Sequence, residues 1–221
     1  MNLEDYLKPT EYCDSDHRKI IAKAKELTQN IESPKMKALS IFQYVRDEIK
    51  FGMYDFVKAS ETLNKGVGDC GNKANLQIAL LRAVNIPSRY RIISLRKECI
   101  KGVVSDMFYN AAPEVIPNHP GCECYLSEKW ISSDTSFDRD LLEAAYKKGI
   151  FNKEEIPTID WDGESNLNTL HYWMVEDKGT LHSLDDLVRE AEKEFEELPI
   201  DKDQLEMVIR QSNEHTNSLR E

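Results

Sequence analysis

The stretch that most constrains this chain is Gly66-Val67-Gly68-Asp69-Cys70-Gly71-Asn72-Lys73-Ala74-Asn75. Two glycines two apart let the backbone turn sharply and approach another group closely. Beyond them Leu76, Ala79, Leu80 and Ala83 recur at spacings of three and four, which predicts a buried helix. Asp69 is its expected N-cap, and it should end near Asn85, with Pro87 two residues further on. Cys70 thus falls where a tight loop enters a helix. Unpaired N–H groups and the positive end of the helix dipole favour a thiolate there. A cysteine also serves as a small buried hydrophobe, but that use calls for neither the glycines nor the aspartate.

Composition narrows the class. The chain has 221 residues and 40% apolar side chains, which suits a globular domain with elaborations. A net charge of -11 argues against a nucleic-acid partner. The five cysteines are an odd number in a chain too large to need staples. No apolar leader follows Met1, so a reducing cytoplasm is expected. No apolar run approaches membrane-spanning length, and no membrane association is expected. Between residues 185 and 206 ten acids face three bases, read as a solvated helix face.

In chain order, an extended arm leads to a helix capped by Asp14 or Ser15, with Ile20, Ile21, Ala24, Leu27 and Ile31 inward. Ser33-Pro34 opens a second helix, with Ala38, Leu39, Phe42, Val45 and Ile49 inward. Residues 51–65 read as a loop carrying Tyr54 and Phe56, able to line a cleft. Ser88 to Leu95 reads as a strand, with Tyr90 and Ile92 opposite Arg89 and Arg91. Residues 99–118 read as loop with some strand, followed by a hairpin of Cys122–Leu126 and Trp130–Asp134. Asp138 should cap a helix ending at Lys147-Lys148-Gly149, and no more than that is expected of it. Residues 152–180 look irregular, with an aromatic cluster of Trp161, Tyr172 and Trp173. An amphipathic helix follows from Ser183 to Leu198, with Leu187, Val188, Ala191 and Phe195 inward, stopped by Pro199. A short helix from Asp201 leads into a frayed tail after Ser212.

A nucleophilic thiol needs a base, and the base needs an orienting acid. His119 and Asp134 fit if the hairpin turn holds an even number of residues, so that Trp130 opposes Tyr125. Asp134 then opposes Gly121 and shares a face with His119, while Cys122 and Cys124 point to the core. That parity separates both sulfurs from the imidazole, so no metal is expected. His17, His171, His182 and His215 read as structural.

The run Gly66–Ala74 resembles the nucleophile motif of the transglutaminase-like superfamily. Tyr44-Val45-Arg46-Asp47, Ala59-Ser60-Glu61-Thr62-Leu63 and Ile86-Pro87-Ser88-Arg89 are similar to its flanking signatures. His119 with Glu123, then Trp130 and Asp134, are similar to its histidine and aspartate strands. The resemblance covers about residues 35–140 and departs at Pro120-Gly121, where the family often has an aromatic. It implies a papain-like α+β fold, a helix-borne nucleophile packed on an antiparallel sheet, within a single domain 1–221 elaborated by helices over 138–221. It also implies a triad of Cys70, His119 and Asp134 performing acyl transfer through a thioester, with no cofactor. The expected substrate is a peptide, protein or small amide. Hydrolysis is the favoured outcome; amine acyl transfer or ligation and a non-catalytic peptide-binding module are the alternatives. The backbone N–H of Cys70 and, more weakly, Tyr54 are the expected oxyanion donors.

Overall fold

The structure, a computed structural model, describes residues 2–197 and 202–221. After a 3-10 turn at Leu3–Leu7 come α1 (Arg18–Thr28), α2 (Pro34–Glu48), β1 (Lys50–Phe51), α3 (Ala59–Lys65), β2 (Val67–Gly68) and α4 (Cys70–Ala83). Then follow β3 (Ser88–Arg96), α5 (Asp106–Ala111), β4 (Val115–Leu126), β5 (Lys129–Ser132) and α6 (Arg139–Lys147). The chain closes with β6 (Met174–Leu181), α7 (Asp185–Glu197) and α8 (Lys202–Leu219). Among the described residues the main sheet is antiparallel with order β5-β4-β3-β6, and β1 pairs in parallel with β2. Helix is thus packed on antiparallel sheet, the expected α+β class. None of the described helices is long and apolar enough to cross a membrane.

The organising helix is α4. Gly71 through Arg82 are all buried, so this helix has no solvent face. Its Leu76, Ile78, Leu80 and Leu81 pack with Ile41, Phe42 and Val45 of α2 and with Tyr90, Cys122 and Cys124 of the sheet. Each such aliphatic side chain contributes about 2 kcal/mol on burial. A second apolar cluster joins Phe51, Cys99, Phe137, Phe151, Trp173 and Leu219. Trp161 belongs to the first cluster and Trp173 to the second, so the expected aromatic group is divided between them.

Several local expectations change. His17, not Asp14 or Ser15, caps α1 through its ring nitrogen, because Asp14 instead accepts from the Ser60 N–H. Ser33 sits at the N-cap of α2 with no side-chain hydrogen bond. The 51–65 segment contains α3, and the polar run Met174–Leu181 is an edge strand, which the absence of apolar alternation concealed. The tail is helical through Leu219, with Val208, Ser212, Thr216 and Leu219 buried along one stripe. In α7, Val188 is buried and Ala191 exposed. The expected stop at Leu198-Pro199 and the start at Asp201 lie outside the described residues.

Candidate active site

Cys70 is the first residue of α4, and the Asp69 carboxylate caps the helix by accepting the Asn72 N–H at 2.8 Å. Both glycines are needed. Gly66 ends α3 at φ 68, and a Cβ on Gly68 would stand 2.6 Å from that of Asn72. Cys70 is half-buried, whereas Cys13, Cys99, Cys122 and Cys124 are buried. The loop of residues 52–58 is tied to the start of α4 by the Asn72 carboxamide, which accepts from Val57 N at 3.0 Å and donates to Asp55 O at 3.1 Å.

The hairpin has the even register: Tyr125 pairs with Trp130, across a two-residue turn at Ser127 and Glu128 with φ 48 and 64. Cys122 and Cys124 face the core. His119 faces the other side, paired with Ile93 beside an irregularity where Leu95 pairs with Ile116. Pro117, which has no N–H to give a ladder, falls in this interruption. A bulge here re-aims the side chains that follow it.

Asp134 does not extend the ladder opposite Gly121. Ser133 N still donates to Cys122 O, but Asp134 N turns to Leu167 O at 3.1 Å. The Asp134 carboxylate accordingly meets His119 through a third residue. Ser136 Oγ donates to Asp134 Oδ1 at 2.5 Å and lies 3.4 Å from His119 Nε2. Nε2 is therefore engaged, and Nδ1 is the nitrogen left to receive a proton. Ser136 N and Thr169 N also donate to the carboxylate, at 2.8 and 3.2 Å.

Gln77 ties these pieces to α4. Its amide donates to Ser133 Oγ and accepts from Thr135 Oγ1, both at 2.9 Å, holding the residues on either side of Asp134. Gln77 lies seven residues after Cys70, about two helical turns along. Sequence reading passed over Gln77 and Ser136. Gln77 had a signal, a polar residue inside an otherwise apolar buried run; Ser136 had none.

The electrostatics differ from those expected of a helix start alone. Burial, with the carboxylates of Asp69 and Asp134, pushes the Cys70 thiol well above its ordinary value, and the Gly71 N–H opposes this only in part. Burial also raises Asp69 to about 6 and lowers His119, against the pull of Asp134. Both directions favour a neutral thiol and a neutral imidazole over the ion pair that the helix dipole favours. Among the described residues no hydrogen bond joins Cys70 to His119. Asp134 is the group that bears on both.

Tyr54 stands on the loop of residues 52–58, 39% exposed, and its hydroxyl has no hydrogen-bond partner among the described residues. A small cavity of about 90 Å³ opens beside His119 and Asp134, with Ile93, Leu170 and Met174 among its walls and Arg91 and His171 also lining it. Cys122 and Cys124 stay protonated, the latter pushed up to about 12 by burial.

A cysteine at the head of a buried helix, packed on an antiparallel sheet that carries the histidine, makes a papain-like α+β fold. The family model of the transglutaminase-like superfamily matches residues 21–135, just over half of the chain, and the chain belongs to that superfamily. A solved structure of a "putative cysteine protease" from Cytophaga hutchinsonii is similar in fold, with TM-score 0.53 and 21% identity. The similarity covers 83% of this chain and 48% of that one, so the chain spans about half the length of that protein. A "putative protease" from Parabacteroides distasonis matches at TM-score 0.39 and 15% identity, over 59% of this chain and 24% of that one. No curated protein matches the chain.

Proposed function

We propose that the chain is a cysteine-dependent acyl-transfer enzyme that hydrolyses an amide or peptide bond through a thioester. The observation that carries this reading is geometric: Ser136 Oγ donates to Asp134 Oδ1 and lies 3.4 Å from His119 Nε2, which places a carboxylate one hydroxyl from the imidazole on the strand against which the Cys70 helix packs. Cys70 Sγ attacks the amide carbonyl as His119 Nδ1 takes the thiol proton, closing in one step a contact that is open at rest. The N–H of Cys70, at the helix start and without a hydrogen-bond partner among the described residues, donates to the oxyanion. The imidazolium then gives its proton to the leaving amine. Water, deprotonated by the same nitrogen, cleaves the thioester to a carboxylic acid and restores the thiol. While His119 is cationic, its Nε2–H donates to Ser136 Oγ, which donates to Asp134, so the transient charge has a counter-charge one hydroxyl away.

A peptidyl vinyl sulfone tests this. It should alkylate Cys70 in preference to the other four cysteines, the reaction should fade in His119→Ala, and Cys70→Ala should lose all turnover while keeping its melting temperature. Indifferent labelling of all five thiols would contradict the reading. A second reading, a non-catalytic peptide-binding module, draws support from the raised thiol and its missing bond to His119. Under it His119→Ala leaves labelling of Cys70 unchanged. Incorporation of a labelled amine into a glutamine peptide would instead point to amine acyl transfer.

A further inference from the structure

The C-terminal helix α8 lies beyond the stretch that the family model matches, yet it holds the segment beside Cys70. The Asn213 carboxamide clasps one residue on both sides: Met53 N donates to Asn213 Oδ1 at 2.7 Å, and Asn213 Nδ2 donates to Met53 O at 2.9 Å. Asn72 does the same at the far end of that loop, taking Val57 N and Asp55 O. The loop of residues 52–58 is thus pinned at two points by carboxamides, one from α4 and one from α8. Between them Phe56 covers Gly71, where an added Cβ would meet its ring at 3.4 Å. The near end is close-packed, since a Cβ on Gly52 would stand 3.1 Å from Asn213 Oδ1 and 3.2 Å from Val67. Gly52 N also donates to Gly68 O, two residues before Cys70.

We infer that the loop of residues 52–58 is the wall of the substrate cleft over Cys70, and that Asn213 of the C-terminal helix is the positioning residue that fixes it. The inference rests on Cys70 being the nucleophile. A backbone segment pinned by an amide that both donates and accepts is held in position and orientation together, and small displacements beside a reacting centre are costly. With the clasp gone the wall loosens, water reaches the thiol, and the burial that keeps it protonated is relieved.

The experiment compares Asn213→Ala with Thr216→Val. Thr216 also ties α8 down, its hydroxyl donating to Val103 O at 2.8 Å, but it does not touch the loop. Both variants should lower the melting temperature. Only Asn213→Ala should lower turnover, by about tenfold, and move the pH profile of iodoacetamide alkylation at Cys70 to lower pH. A parallel loss in both variants with unmoved alkylation profiles would overturn the inference. If Asn213→Ala does not fold, Asn213→Leu keeps the volume and the neutrality and loses both hydrogen bonds to Met53; it should then show the same shift, and no shift overturns the inference. Alkylation needs no substrate, so it judges the clasp even if amide hydrolysis is disproved, and Cys70→Ala judges hydrolysis separately.

Discussion

Two carboxylates four residues apart, Asp134 and Asp138, sit in opposite surroundings. Asp138 is fully buried beside cations: Arg220 pairs with it, Lys50 stands near, and so does Lys73, whose ammonium is lowered by burial to about 7. It also caps α6 through Leu141 N and accepts Phe51 N at 2.8 Å. Burial alone would raise its carboxyl, but Arg220, Lys73 and the Phe51 N–H outweigh burial and hold it below the ordinary carboxylate range. Asp134 is half-buried, makes no ion pair among the described residues, and meets only neutral donors. Satisfied by standing charges, Asp138 contributes architecture. With its charge uncommitted at rest, Asp134 is suited to answer a positive charge that appears only during a reaction. The pattern of partners separates the two roles where residue type and spacing do not.

The contrast can be broken most forcefully at Asp138. Asp138→Asn keeps one acceptor oxygen, for Leu141 N or for Phe51 N but not for both, and strands Arg220, so stability should fall by about 3 kcal/mol, read by urea unfolding. Turnover per folded molecule should change little. The sign with pH follows: a depressed carboxyl contributes stability above its unfolded value of ~3.9 and loses it as pH falls through the folded value. The variant should lack that acid-side loss. Asp134→Asn should do the reverse, cutting turnover about a hundredfold, or ~2.7 kcal/mol of barrier, with unfolding nearly unchanged. If Asp138→Asn proves the catalytic casualty, the roles are exchanged.

Smaller effects sharpen the same line. Ser136→Ala removes the hydroxyl between His119 and Asp134 and should lower turnover about tenfold. Because His119 must be neutral to act as a base and burial lowers its value, the acid limb of the pH–rate profile should lie below the ~6.5 of free imidazole. An acid limb above that value would contradict an imidazole lowered by burial. Asp140→Asn, at an exposed position, should change stability by less than about 0.5 kcal/mol and turnover not at all.

Much of this was legible in the sequence because it rests on local rules. The cap at Asp69, the left-handed Asn85, the hairpin register at Tyr125 and Trp130 and the ends of α6 all follow from spacing and turn chemistry. What escaped depends on partners distant along the chain. Asp138 reads as a cap and nothing more until Arg220, 82 residues on, is seen beside it. Ser136 looks like any hydroxyl, and the C-terminal helix looks like a fraying tail because its docking uses Asn213, Thr216 and Arg220 rather than a long apolar stripe. The thiol's direction of shift was also hidden, since burial and two carboxylates outweigh a helix start only once the fold has gathered them.

The most direct test of the division between Asp134 and Asp138 is the rate of Cys70 alkylation against pH in wild type, Asp134→Asn and Asp138→Asn. In wild type the profile should lie above the ~8.5 of a free thiol. Removing the Asp134 charge should move it to lower pH, and removing that of Asp138 should leave it in place. A profile that Asp134→Asn does not move, or one that answers to Asp138 instead, would contradict the claim that Asp134 bears on the Cys70 thiol.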